Sequence, residues 1–286
     1  ALYMDATEKR ANNQIEAFFN PANTNTYIGD LKSVQRAVAG HSYWTFGTND
    51  DLQNIRNAVA DKAAKYDLDV YQTEWSMLDK EPSTSAGFPA SYDVASYMDI
   101  ALYMGKLIHC DFTYGNMAAW SYWTTFAQEK WGQKNRFYLL RLNAKGDTGN
   151  ESYGDIANGG TVTDNANLWV LGNYSRFIRP GYRRIGHTTN QSESLNKLMG
   201  SAYISSDGKR IVVVYVNMGA ATGVKLNVDG HATAKEINLY RTSETENLKH
   251  IAETYTLGQR ILIPKKSVST FVIDFDKAET GIEGIH

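Results

Sequence analysis

Hydrophobic positions along the first two-thirds of the chain switch between a helical and a strand-like period. Gln14 to Phe19 and Leu31 to Val38 read as short helices, followed by a strand at 38–42. Leu52, Ile55, Val59 and Ala63 then fall on one helical face, with Asp50 and Asp51 placed to cap it. A strand over 68–73 leads into a polar loop holding Pro82, Gly87 and Pro89. Asp93 is placed to cap a second helix, whose Val94, Met98, Ala101, Leu102, Gly105 and Ile108 recur at helical spacing. A strand over 117–122, a polar loop over 143–166 and a helix from Leu168 to Ile178, stopped by Arg179-Pro180-Gly181, complete the series. Strands alternating with helices predict a parallel sheet with crossover helices.

After about residue 182 the pattern becomes all strand. Ser201–Ser205 and Arg210–Asn217 flank Ser206-Asp207-Gly208-Lys209, a hairpin signal. Lys225–Val228, Glu236–Tyr240, Arg260–Ile263 and Thr270–Phe275 read as further strands, which predicts an antiparallel β-sandwich. The expected division is 1–181 for the α/β part, 182–279 for the sandwich and 280–286 for an unstructured tail.

Composition narrows the function classes. Net charge is −2 with the two signs intermixed, so nothing resembles a nucleic-acid-binding face. The longest apolar run, Ile211 to Val216, is strand-sized, far short of the ~20 residues of a membrane helix. The single cysteine, Cys110, follows apolar residues in a helical pattern and reads as a buried, inert thiol. None of the six histidines lies in a metal-binding spacing, and there is no phosphate-binding glycine loop. Eighteen tyrosines and six tryptophans are an excess that suits either an aromatic core or a sugar-stacking surface. The chain opens on Ala1 inside the apolar run Ala1-Leu2-Tyr3-Met4, which reads as a processed or truncated start.

Candidate chemistry gathers at the ends of three strands. Val70-Tyr71-Gln72-Thr73-Glu74-Trp75-Ser76 ends on a carboxylate among aromatic and hydroxyl groups. Gly40-His41-Ser42-Tyr43-Trp44 precedes it and Ala119-Trp120-Ser121-Tyr122-Trp123 follows it. In a parallel α/β barrel the functional groups sit at the C-terminal strand ends, so these clusters would share one rim. A retaining glycosidase uses a carboxylate nucleophile and a second carboxyl group about 5–5.5 Å away that protonates the leaving oxygen. Glu74 fits the first role, Tyr43 could hold it ionised by a hydrogen bond, and Trp123 could floor the sugar site. The bland alternative for Glu74 is a rim carboxylate in a structural ion pair; singly, His41 reads as a core histidine and Trp120 and Trp123 as packing, but together at three strand ends the residues favour a site. Ser42 as a hydrolase nucleophile is disfavoured, because the elbow motif lacks its closing glycine.

With these runs, Gln14-Ile15-Glu16-Ala17-Phe18-Phe19 and Leu168 to Gly181, the chain resembles the C-terminal half of glycoside hydrolase family 30. Within the family it looks most like secreted bacterial endo-β-1,6-galactanase-like members. The resemblance implies a (β/α)₈ barrel fused to a side β-sandwich, with this chain supplying strands five to eight. It implies Glu74 as the nucleophile on the seventh strand, His41 and Tyr43 lining the −1 subsite from the sixth, and Trp120 and Trp123 at the end of the eighth. It implies a glycan substrate, no cofactor, and a secreted, periplasmic or cell-surface location. The family's acid/base glutamate lies in an Asn-Glu-Pro motif that this chain lacks; the nearest dipeptide, Asn150-Glu151, is followed by Ser152. The expectation is a fragment that needs the missing half of its barrel and is inactive, or nearly so, alone. The rival reading is a non-catalytic carbohydrate-binding protein.

Overall fold

The computed structural model describes residues 14–129, 134–146 and 156–277. The apolar opening Ala1–Met4, the Asn150-Glu151 dipeptide and the expected tail over 280–286 lie outside the described residues. Helix α1 (Gln14–Phe19) buries Ile15 and Phe19, as its pattern predicts. The helix expected over 31–38 does not form: the segment runs through turns and bends into strand β1 (Ala37–His41). Leu31 is exposed there, so a helix would have no apolar face to bury, and packing supplies most helical stability.

Helix α2 (Asn49–Ala64) starts slightly earlier than its acidic pair suggested. Thr48 is the cap, its side chain accepting from the Asp51 amide, while Asp50 and Asp51 complement the dipole of the first turn. Strand β2 (Asp69–Glu74) follows. Helix α3 (Tyr97–Thr113) is capped by Ser96 in a reciprocal box with Asp99, not by Asp93. Strand β3 (Met117–Trp120) completes a parallel sheet of order β1-β2-β3. Val70 and Met117 pack with Val59 and Ala63 of α2, so helices cover one face of this sheet. Thr73 and Ala118 are exposed, and among the described residues β1 and β3 each have one unpaired edge.

The stretch expected as a loop over 143–166 is partly sheet. Strands β4 (Phe126–Ala127), β5 (Leu140–Ala144) and β6 (Gly160–Asp164) form a small mixed sheet. Every residue of β6 is exposed, so it carries no hydrophobic alternation to read; backbone pairing and the Asn143 amide bonds to Thr161 and Thr163 hold it. Helix α4 (Ala166–Ser175) follows, capped by Asn165.

The C-terminal strands are β7 (Arg183–Ile185), β8 (Leu198–Ile204), β9 (Arg210–Asn217), β10 (Thr222–Lys225), β11 (Glu236–Ser243), β12 (Glu246–Ile251), β13 (Arg260–Ile263) and β14 (Ser267–Asp274). Six of them form an antiparallel sheet of order β12-β11-β14-β9-β8-β7, and β10 pairs with β13 in a separate ribbon. The strand expected at 225–228 thus lies at 222–225, while β7 and β12 carry no clear apolar alternation in the sequence. Alternate residues of β9 serve two cores: Ile211, Val213 and Tyr215 pack toward the ribbon, whereas Val212, Val214 and Val216 pack with α3 and α4. Gly105 allows this approach, because a Cβ there would stand 3.1 Å from Val170 Cγ1. The six-stranded sheet therefore shares its core with the helices that carry the parallel sheet.

Lys106 sits wholly buried in that shared region. Its ammonium donates to Asn49 Oδ1, the Ala86 carbonyl and Asn196 Oδ1. Burial lowers its pKa from 10.5 to about 8. Between those values the unfolded chain binds more protons, so this group makes stability rise with pH. Denaturant unfolding from pH 7 to pH 10 is expected to show wild type gaining about 2 kcal/mol relative to Lys106→Met. Parallel curves for the two proteins would contradict this.

Candidate functional site at the strand ends

The C-terminal ends of β1 and β2 bring His41, Tyr43 and Glu74 together. A register irregularity between Gly40 and His41 sets His41 opposite Glu74. His41 Nδ1 lies 3.8 Å from Glu74 Oε1, and the Tyr43 hydroxyl donates to the same oxygen at 3.1 Å. Tyr43 Oη also stands 3.5 Å from Ser76 Oγ. Burial, reinforced by the neighbouring Glu74 carboxylate, pushes the Tyr43 hydroxyl up to about 12, so it remains a proton donor at neutral pH. Glu74 keeps about a third of its side chain accessible, which an incoming reactant requires. The lone glutamate is thus held by one hydrogen bond from Tyr43, with His41 beside the same oxygen and its approach open.

Trp75, next to Glu74 in the chain, lies in the buried cluster that also holds Tyr43. It is 1% exposed, edge-on to Phe46 at 5.4 Å and packed against Trp120 and Tyr122. Trp120 turns into this cluster: its ring stacks on Tyr122 and its indole N–H donates to Asp111 Oδ2 at 2.8 Å. Trp123 is different. It is 47% exposed, and its backbone N–H donates to the Trp75 carbonyl, which pins it beside the end of β2. Of the five residues singled out from sequence, the structure joins His41, Tyr43 and Glu74 directly, sets Trp123 on the rim, and commits the Trp120 indole N–H to the interior.

A buried ion pair fixes the rim from below, and sequence reasoning missed it. Arg56 of α2 and Asp111 of α3 are both fully buried, with Nε donating to Oδ1 at 2.6 Å. Ser42 Oγ donates to both Asp111 oxygens, and Arg56 also donates to the Thr45 carbonyl and hydroxyl. One carboxylate thereby ties together the ends of β1 and β3 and both covering helices. Ser42 is 0% exposed and engaged with Asp111, so no substrate carbonyl can reach it as a nucleophile. Arg56 and Asp111 each sit on a helical face that otherwise reads as core, which was the available signal. Cys110 is buried, and burial pushes its thiol up to about 12, leaving it unreactive at neutral pH. Among the described residues, no three His, Cys, Asp or Glu side chains cluster as metal ligands.

This geometry can be set beside known proteins. Residues 1–133 match the sequence profile described as O-glycosyl hydrolase family 30. Over these residues the chain is similar to glycoside hydrolase family 30. Glucuronoxylanase XynC of Bacillus subtilis (strain 168) is 32% identical over 126 residues, covering 43% of this chain and 28% of the relative. A conserved exported protein from Bacteroides fragilis has the same fold, with a TM-score of 0.76 at 24% identity, covering 95% of this chain and 53% of that one. A family 30 endoxylanase from Clostridium papyrosolvens C71 gives a TM-score of 0.55 at 21% identity, over 90% of this chain and 54% of that one. The chain thus spans about half the length of these solved structures, and its match to the curated relative spans less. No helix among the described residues is long and apolar enough to cross a membrane.

Proposed function

We propose that this chain supplies the nucleophile half of a retaining β-glycosidase acting on a polysaccharide. The observation that carries the reading is the Glu74 carboxylate at a strand end, with the Tyr43 hydroxyl donating to its Oε1 and His41 Nδ1 3.8 Å from the same oxygen. Glu74 attacks the anomeric carbon while the bond to the leaving oxygen breaks, giving a glycosyl-enzyme that water then hydrolyses. Tyr43 and His41 orient the nucleophile in the −1 subsite, and the exposed face of Trp123 lies under the sugar. Trp120 contributes through packing beneath the subsite.

The acid/base carboxyl group lies, in this reading, outside these 286 residues. The absence of an Asn-Glu-Pro motif supports that placement. So does the exposed face of the β1-β2-β3 sheet, with an unpaired edge on either side, which suits strands five to eight of a (β/α)₈ barrel awaiting the other four. Residues 1–181 would then be the partial barrel and 182–279 its side sandwich, in an enzyme working outside the cell on a polymer too large to enter it. β-1,6-Galactan is the substrate we favour from the sequence motifs, with glucuronoxylan, named in the curated relative, as the alternative.

The test measures reducing-sugar release from both polymers by the purified chain and by a completed barrel. The completed barrel is expected to cleave one of them, with product of retained anomeric configuration by NMR. The chain alone should be slower by about 10²–10⁴-fold, the usual cost of a missing acid/base. Full-rate hydrolysis by the chain alone would place the acid/base within it and overturn this reading.

A further inference from the structure

Trp44 is the most exposed large apolar side chain among the described residues, at 70%. Exposure alone says little, but its backbone is also held at φ 59, a left-handed conformation uncommon for a bulky residue. The surrounding structure enforces that conformation. Asp79 Oδ2 accepts the Trp44 backbone N–H at 2.6 Å, while Asp79 Oδ1 is buried with no hydrogen-bond partner among the described residues. The Asp79 carbonyl is pinned in turn by the Tyr92 hydroxyl and by Arg136, whose guanidinium packs 3.6 Å above the Tyr92 ring. The result is a Trp44 backbone tied to a braced loop, with its indole in solvent. A free surface tryptophan needs no such device.

Its position gives the support a purpose. The Trp44 ring is 5.9 Å from that of Tyr43, the residue that bonds Glu74. In the sheet order β1-β2-β3, Trp44 follows β1, Glu74 ends β2 and Trp123 follows β3. The residues that carry the two exposed indoles thus follow the strands on either side of the one that ends at Glu74.

We propose that Trp44 is a sugar-stacking residue for the unit next to the one seated on Glu74, and that Asp79 is its positioning residue. This deepens the glycosidase reading and rests on it. The ligand class is an uncharged β-linked oligosaccharide long enough to run across the strand ends, its pyranose C–H face laid on the indole. The left-handed backbone turns the indole away from the core and toward that chain.

The experiment measures calorimetric affinities of the Glu74→Gln chain for β-1,6-galacto- and xylo-oligosaccharides of one to four units. Adding Trp44→Ala is expected to weaken the longer ligands about tenfold and leave the monosaccharide unchanged, while Trp44→Phe keeps most of the affinity. Asp79→Asn should fall between wild type and Trp44→Ala on the longer ligands. Trp44→Gly, a residue at ease at this φ, should lose the same binding yet unfold no earlier than wild type, separating recognition from folding. Unchanged affinity of Trp44→Ala at every length, with binding otherwise intact, overturns this inference and leaves the Glu74 site standing. A Glu74→Gln protein that binds no saccharide of any length, both as this chain and within the completed barrel, removes both.

Discussion

Glu74→Gln is expected to lower kcat/KM of the completed enzyme by on the order of 10⁴-fold, some 5 kcal/mol of barrier, while leaving glycan affinity nearly unchanged. The amide preserves the shape of the carboxylate and can still accept from the Tyr43 hydroxyl, so the rim should keep its geometry. What it loses is the nucleophilic oxygen, and with it the covalent intermediate. The split between lost turnover and kept binding is the informative part. Tyr43→Phe should cost far less, because it removes one hydrogen bond to a nucleophile that persists. Steady-state kinetics with calorimetry on the same variant decides the matter. Equal losses in kcat/KM and in affinity would make Glu74 a binding group, and a wild type that binds glycan without cleaving it would favour a carbohydrate-binding protein.

How far the sequence exposes this arrangement depends on what each feature rests on. Elements held by a buried apolar face are legible: α2, α3 and β9 lie where Leu52, Val59, Met98, Ile108 and the run from Ile211 predict them. Elements held by polar contacts are not. β6 is wholly exposed, and β12 alternates only weakly, so neither leaves a trace in hydropathy. The cap of α3 shows the same limit. Asp93 and Ser96 are both acceptable caps by residue type, and only the return bond from Asp99 selects Ser96. At the site, Glu74, Tyr43 and His41 were readable because strand-end position alone brings them together. Trp120 was not, because which way an aromatic ring turns depends on a partner 9 residues away in sequence, Asp111, that no local pattern announces.

That partner carries the largest expected effect on stability. Asp111→Ala should destabilise the fold by about 3–5 kcal/mol, because it strands the fully buried Arg56 guanidinium without its anion. Removing one member of such a pair costs more than the pair itself contributes, since the desolvation of the survivor is no longer offset. The hydroxyl of Ser42 and the indole N–H of Trp120 lose the same acceptor, so the ends of β1 and β3 loosen together. Trp120 then offers a second readout: its fluorescence should shift as its ring leaves a fixed environment, before global unfolding. Asp111→Asn keeps the acceptor oxygen without the charge and should fall between wild type and Asp111→Ala. Arg56→Met combined with Asp111→Leu should recover much of the loss, because no buried charge remains unpaired. A change below about 1 kcal/mol in Asp111→Ala would mean that water reaches Arg56 and that the network is not what holds the rim. A loss near the expected size, matched by weaker glycan binding, would tie the placement of Glu74 to one buried carboxylate on the helix behind it.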